Sequence, residues 1–134
     1  KYPLQSSALK ELNYTEFFTK ESDVFEKLHS TKWELSTEIN SSFTLKKIET
    51  DLKHFQSESV YDLIYFDAFG PRVQPVLWEK TILQNMYNAL KTNGIWVTYS
   101  CKGQVKRDLQ AIGFHVEKIH GPPGKREMLR ATKI

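Results

Sequence analysis

Apolar residues along this 134-residue chain change their spacing several times, and each change marks an element. Residues 60–67, Val-Tyr-Asp-Leu-Ile-Tyr-Phe-Asp, form a short run of β-branched, aromatic and aliphatic side chains without Gly or Pro. A run this short is a strand, and its nearly continuous apolar character predicts burial in a parallel sheet covered on both faces. From residue 75 the spacing becomes helical: Leu77, Trp78, Ile82, Leu83, Met86, Tyr87 and Leu90 make one stripe, favouring packing for Trp78. Pro75 sits where a first helical turn tolerates it, and Gly94 is placed to stop the helix. Further on, residues 95–100 predict a strand, 103–112 a helix ended by Gly113, and 114–119 another strand. A tight Gly-Pro-Pro-Gly loop at 121–124 then leads to a last strand at 127–133.

The pattern is weaker before the central run. Leu9, Leu12, Phe17, Phe18, Phe25 and Leu28 fall at loose helical spacing, predicting one or two helices over residues 5–28 with breaks near Asn13 and Thr19. Trp33, Leu35 and Ile39 lie in a polar connection, residues 42–49 have strand composition, and residues 52–56 read as a short helix or turn. Strand alternating with helix and closing on a hairpin predicts a single α/β domain over residues 1–134, its sheet mainly parallel with an antiparallel last strand.

Composition changes this picture little: 40% hydrophobic and 26% charged residues are ordinary for a globular protein. No apolar run approaches the length of a membrane span, and no basic-then-apolar leader opens the chain. The single cysteine, Cys101, excludes an internal disulfide and fits a reducing cytoplasm. The four histidines are scattered and have no cysteine partner at ligand spacing, so no metal site is read. Charge is uneven. Residues 1–100 carry 11 Lys and Arg against 13 Asp and Glu, whereas residues 101–134 carry 8 against 3. The basic end is either a solvated face or an electrostatic footprint for phosphate or nucleic acid.

Asp67 is the leading candidate for chemistry. It ends the central strand and precedes the Gly70-Pro71 turn, and in open α/β sheets ligands bind beyond the carboxyl ends of the strands. Capping the turn is the alternative role for the same carboxylate.

Several segments in order then carry a resemblance. They are Asp67-Ala-Phe-Gly-Pro-Arg-Val-Gln-Pro-Val-Leu-Trp78, Thr98-Tyr-Ser, Val105-Lys-Arg-Asp-Leu, Gly113-Phe and Gly121-Pro-Pro-Gly-Lys-Arg-Glu-Met128. Together they resemble the MnmC-type tRNA methyltransferases, bacterial S-adenosylmethionine-dependent enzymes that methylate 5-aminomethyl(-2-thio)uridine at the wobble position. The opening Lys1-Tyr2-Pro3-Leu4 also resembles that family; the match is strong over residues 58–134 and diffuse over 5–57. The family's glycine-rich loop and its ribose-binding acidic residue are not found between Lys1 and Ile134, where the six glycines never cluster at one turn. The resemblance therefore implies a partial class I (Rossmann-like) methyltransferase domain lacking its first two strands and glycine-rich loop, with strands rearranged or paired with another copy.

The resemblance also implies roles. Asp67 would orient the acceptor amine, take up its proton and face the cofactor, S-adenosylmethionine. Asp51 would accept from the adenine amino group, or cap a short helix beginning at Leu52. Phe69, Gly70 and Pro71 would shape the pocket for an extruded base, and Tyr99 and Ser100 would face the same sheet edge. Lys125 and Arg126 would clamp phosphate of the tRNA anticodon stem-loop, with Lys102, Lys106 and Arg107 available to extend the track. The expected activity is methyl transfer to the wobble uridine's amine in a cytoplasmic enzyme, with this fragment inactive alone. A cofactor-free RNA-binding or interaction fragment is the alternative; an unrelated nucleotide-binding enzyme such as a dehydrogenase comes last, for want of a dinucleotide fingerprint.

Overall fold

The computed structural model describes residues 4–17 and 22–134, and contacts divide the chain into two compact units, Lys1–Asp51 and Leu52–Ile134. The first unit holds helices α1 (Ser6–Glu11), α2 (Tyr14–Phe17) and α3 (Ser22–Ser30), then strands β1 (Ser36–Asn40) and β2 (Phe43–Lys46). The break expected near Asn13 separates α1 from α2; Phe18 and the break expected near Thr19 lie outside the described residues. Strand β1 corrects the reading of residues 36–40 as a polar connection: it pairs antiparallel with β2, Thr37 opposite Leu45. Its sequence, Ser-Thr-Glu-Ile-Asn, has one apolar side chain, Ile39, which is buried. The turn supplies what periodicity does not, because the Asn40 side-chain oxygen accepts from the Ser42 N–H at 2.9 Å. The Lys27 ammonium donates to the Ile39 carbonyl at 2.6 Å and ties α3 to the hairpin.

The second unit opens with a turn at residues 52–54, closed by the Phe55 N–H donating to the Leu52 carbonyl at 3.3 Å. There follow β3 (Tyr61–Tyr65), a 3-10 turn (Pro75–Trp78), α4 (Lys80–Ala89), β4 (Leu90–Thr98), α5 (Gly103–Ile112), β5 (Phe114–His120) and β6 (Glu127–Lys133). The four strands form one sheet in the order β3-β4-β6-β5. Only the β3–β4 pairing is parallel; β6 lies antiparallel to both β4 and β5. Strands β3, β4 and β5 thus share a direction, but the sheet is mixed rather than mainly parallel in its pairing. The short 121–126 connection forces β5 and β6 into a hairpin. β6 then fills the space beside β4 and pairs antiparallel on both edges.

Two local expectations are also corrected. The single helix expected from Pro75 splits, because Glu79 is extended (φ −64°, ψ 146°) between the 3-10 turn and α4. Gly94 does not stop α4. The helix ends one turn earlier, where Leu90 becomes extended and starts β4, and Asn93 takes the left-handed conformation at φ 65°. Gly94 is required for space instead, since a Cβ there would lie 2.7 Å from the Lys91 carbonyl oxygen. Gly113 ends α5 as expected, at φ 118°.

Helices α4 and α5 lay Ile82, Leu83, Met86, Val105 and Leu109 against Phe66, Trp96, Phe114, Val116, Leu129 and Ala131 of the sheet side. Trp78 packs here too, edge-on to Phe66 with ring centres 5.2 Å apart. This core fixes the carboxyl ends of β3 and β4. Among the described residues no helix is long and apolar enough to cross a membrane.

Candidate active site

Because β3, β4 and β5 run the same way, the loops that follow them open on one edge of the sheet. Two depressions lie there. A cleft of about 290 Å³ is lined by Phe66, Asp67, Ala68, Gly70, Pro71, Trp78, Thr98, Tyr99, Ser100, Cys101, Lys102 and Lys125. A groove of about 640 Å³ runs beside β3 and is walled mainly by Leu52, Phe55, Tyr61, Leu63, Ile64, Tyr65, Leu77 and Met86. Asp67 lines both.

The position of Asp67 follows from its neighbour. The Phe66 N–H donates to the Val97 carbonyl at 2.8 Å, extending the β3–β4 ladder one residue beyond the strand. The Phe66 ring is buried against Trp78 and Trp96. Asp67 is therefore the first residue off the sheet, with an anchored backbone and an exposed carboxylate. The loop beyond it is closed by the Val73 and Gln74 N–H groups donating to the Gly70 carbonyl, at 2.8 and 3.1 Å. The Trp78 indole N–H donates to the Phe69 carbonyl at 2.8 Å, pinning the same loop to the core.

The opposite wall is the turn after β4. Thr98 is 3% exposed, and its hydroxyl oxygen accepts from the Ser100 N–H at 3.3 Å. The Cys101 thiol donates to the Glu127 carbonyl at 2.6 Å, holding this turn against the start of β6. The Ser100 hydroxyl is buried, and no described residue hydrogen-bonds to it. Lys125 comes from the β5–β6 loop, where its N–H donates to the Pro122 carbonyl at 2.8 Å. Gly121 and Gly124 make that loop possible: a Cβ on Gly121 would collide with the Lys125 carbonyl oxygen, and Gly124 has φ 85°.

The cleft thus brings together Asp67, Gly70, Pro71, Tyr99, Ser100 and Lys125. Phe69 is 72% exposed and lines the groove rather than the cleft. Arg126 is separated from Lys125 and lines another depression with Lys118, Ile119, His120 and Glu127. Asp51 is the last residue of the first unit, and a turn rather than a helix follows it. Sequence reasoning missed Thr98 and Cys101 as cleft residues and read Lys102 as an outward cation available to extend the phosphate track rather than as part of the cleft wall. Their signal was position immediately at or after a strand's carboxyl end. Away from the cleft, Lys118 at 2.7 Å holds the Glu127 carboxyl below the usual range. Arg130 at 3.0 Å does the same for Glu117.

A mixed α/β sheet whose loops open beyond the carboxyl ends of β3, β4 and β5 resembles the class I methyltransferase fold. The chain superposes on the crystal structure of MNMC2 from Aquifex aeolicus with a TM-score of 0.65, at 24% identity over 84% of this chain and 37% of that one. Residues 11–134 match the model of a family described as S-adenosyl-L-methionine-dependent methyltransferase, and the chain belongs to that family. Similar curated proteins carry the name tRNA 5-methylaminomethyl-2-thiouridine biosynthesis bifunctional protein MnmC. One from Actinobacillus pleuropneumoniae is 36% identical over 54% of this chain, and one from a Psychrobacter species is 33% identical over 71%. The chain spans only 11% and 13% of those two relatives' lengths. The resemblance seen in the motifs is thereby borne out.

Proposed function

We propose that the cleft is the acceptor side of a methyl-transfer site acting on the 5-aminomethyl group of a wobble uridine in tRNA. The observation that carries this reading is the convergence of Asp67, Tyr99, Ser100 and Lys125 in one cleft of a methyltransferase-family chain. S-adenosylmethionine supplies an electrophilic methyl group when bound. Its adenosyl end suits the groove, which has aliphatic and aromatic walls, a volume in the usual range for small-molecule sites, and Asp67 as the one carboxylate of its lining. Its methionine end finds no clustered-glycine turn between Lys1 and Ile134.

Within this reading the acceptor amine must be neutral, since only its lone pair is nucleophilic. Asp67 accepts a hydrogen bond from the amine N–H, orients the lone pair and takes up the proton released. Its charge also favours the cationic product. Tyr99, which is 51% exposed, offers a face for an extruded base, and Lys125 a charge for the neighbouring phosphate. Asp51 stays a candidate for the adenine amino group and Phe69 for closing the groove; Gly70 and Pro71 set the shape of the cleft. Arg126, with Lys118 and His120, would hold phosphate further along the stem-loop.

A second reading is a cofactor-free RNA-binding module, favoured by the basic excess of residues 101–134, 8 Lys and Arg against 3 Asp and Glu. Calorimetric titration separates the two. Saturable binding of S-adenosylmethionine that is weakened by Asp67→Asn supports the first. Absence of heat, with tRNA binding retained and insensitive to Asp67→Asn, supports the second.

A further inference from the structure

The side-chain carboxylates of the basic end of the chain are all paired. Asp108 meets Lys80 at 3.8 Å, Glu117 meets Arg130 at 3.0 Å and Glu127 meets Lys118 at 2.7 Å. Among the described residues, no carboxylate pairs with Lys125 or Arg126. These two cations are neighbours in sequence, yet they line different depressions, one on each side of the β5–β6 loop. The loop that parts them is held from within. The Lys125 N–H donates to the Pro122 carbonyl at 2.8 Å, and the Gly121 N–H to the Arg126 carbonyl at 3.3 Å. The outer depression, about 380 Å³, joins Arg126 to Lys118, His120 and Glu127, with His120 opposite Glu127 across the β5–β6 ladder.

Resting on the tRNA reading above, we infer that the outer depression is a second phosphate subsite, selective for an internal phosphodiester, and that Glu127 sets this selectivity. The Arg126 guanidinium presents a planar fork of donors suited to phosphate oxygens, and the His120 imidazole adds an N–H. Lys118 is committed to Glu127, so that pair is neutral. Counting His120 as neutral, Arg126 leaves the depression with a single net positive charge. A backbone phosphodiester carries a single negative charge and matches it. A terminal phosphate monoester carries about two, and the second would face the Glu127 carboxylate uncompensated. That carboxylate stays ionised at neutral pH, because its hydrogen bond from Lys118, with the nearby charges of Lys118 and Arg126, holds it below the usual range. With Lys125 on the far side of the loop, the RNA backbone is gripped at two different linkages and the loop lies between them.

The test measures binding of the 134-residue chain to a synthetic anticodon stem-loop carrying 5-aminomethyluridine, over a range of salt concentrations at neutral pH. In a matching set of oligonucleotides, each phosphate of the loop and upper stem is replaced in turn by an uncharged methylphosphonate. Arg126→Ala should lower the slope of log affinity against log salt by about one, and adding Lys125→Ala should lower it by about one more. Neutralising one linkage should cancel the effect of Arg126→Ala, and neutralising a different linkage that of Lys125→Ala. Glu127→Gln frees Lys118 and should raise affinity and steepen the slope. Cutting the backbone so that the Arg126 linkage becomes a terminal phosphate monoester should weaken binding to the parent more than to Glu127→Gln. An unchanged slope in Arg126→Ala, or both cations answering to one linkage, would overturn the second subsite. Unchanged or weaker binding in Glu127→Gln, or an equal loss on the cut oligonucleotide in both proteins, would overturn the selectivity given to Glu127. These results leave the tRNA reading standing while Lys125→Ala still lowers the slope. If the parent shows no salt-dependent binding to the stem-loop, that reading fails and the subsite with it.

Discussion

The loop that follows Asp67 is held to the core by one side chain, and replacing Trp78 by Phe tests how much depends on it. Trp78 is 7% exposed, its indole N–H donates to the Phe69 carbonyl at 2.8 Å, and its ring packs edge-on against both Phe66 and Trp96. Phenylalanine keeps an aromatic ring but loses the donor and part of the volume. Phe69 is 72% exposed, so water can reach its carbonyl once the indole is gone. The hydrogen-bond loss then falls near the ordinary net value, about 1 kcal/mol, rather than at the upper limit for a buried orphan. The unfilled volume, roughly 40 Å³ at about 24 cal/mol per Å³, adds about 1 kcal/mol. Trp78→Phe should therefore destabilise the chain by about 2 kcal/mol, read as a lower urea midpoint by circular dichroism with an unchanged slope. Limited proteolysis should show faster cutting within residues 69–74 under native conditions. A loss below about 0.5 kcal/mol with the loop still protected would refute this account, since both contributions would then be absent.

Three further outcomes are expected. Gly94→Ala should lower the melting temperature by several degrees, about 1–3 kcal/mol, because the new Cβ must displace the Lys91 carbonyl at the start of β4; an unchanged melting curve would contradict the close approach. Lys125→Ala should weaken tRNA binding and reduce the slope of log affinity against log salt by about one, whereas an unaltered slope removes this lysine from the phosphate contacts. Glu117 and Glu127 are held below the usual carboxylate range by Arg130 and Lys118, so their contribution to stability exists above the ordinary carboxylate pKa and is lost as pH falls through the lowered one. Glu117→Gln with Glu127→Gln should be slightly less stable than the parent at neutral pH, and the gap should close on acidification; a gap that persists in acid would assign these residues a role other than pairing.

Much of the second unit was legible because its elements bury one face each. The stripe of α5, the left-handed stop at Gly113 and the strands on either side of the Gly-Pro-Pro-Gly loop were all apparent from spacing and turn chemistry. What escaped was decided by geometry that side-chain pattern does not encode. β1 has a single apolar side chain, so it depends on the Asn40 turn and on its partner strand for definition. The end of α4 was misplaced because Leu90, apolar and in phase with the helix, is also the first residue of β4. The neighbours Lys125 and Arg126 were expected to act together. The chain is turning into β6 there, and successive side chains of an extended backbone point opposite ways. One lysine enters the cleft and the arginine faces a different depression.

The correction to the sheet is also what makes the cleft complete. With β5 directly beside β4, a sheet of parallel pairs would put the β5–β6 loop one strand spacing, about 4.8 Å, from the turn after β4, and send the last strand outward from it. Inserting β6 between them places Leu129 opposite Thr98 and brings Glu127 within reach of the Cys101 thiol. Lys125, two residues before Glu127, is thereby delivered to the same wall as Tyr99 and Ser100. The antiparallel strand thus joins a basic loop from the end of the chain to a carboxylate near its middle. Lengthening the 121–124 loop by two glycines should separate these effects, leaving the β5–β6 pairing and stability nearly unchanged while lowering affinity for tRNA as much as Lys125→Ala does. If affinity is unaffected, the rigid delivery of Lys125 by β6 is not what the cleft depends on.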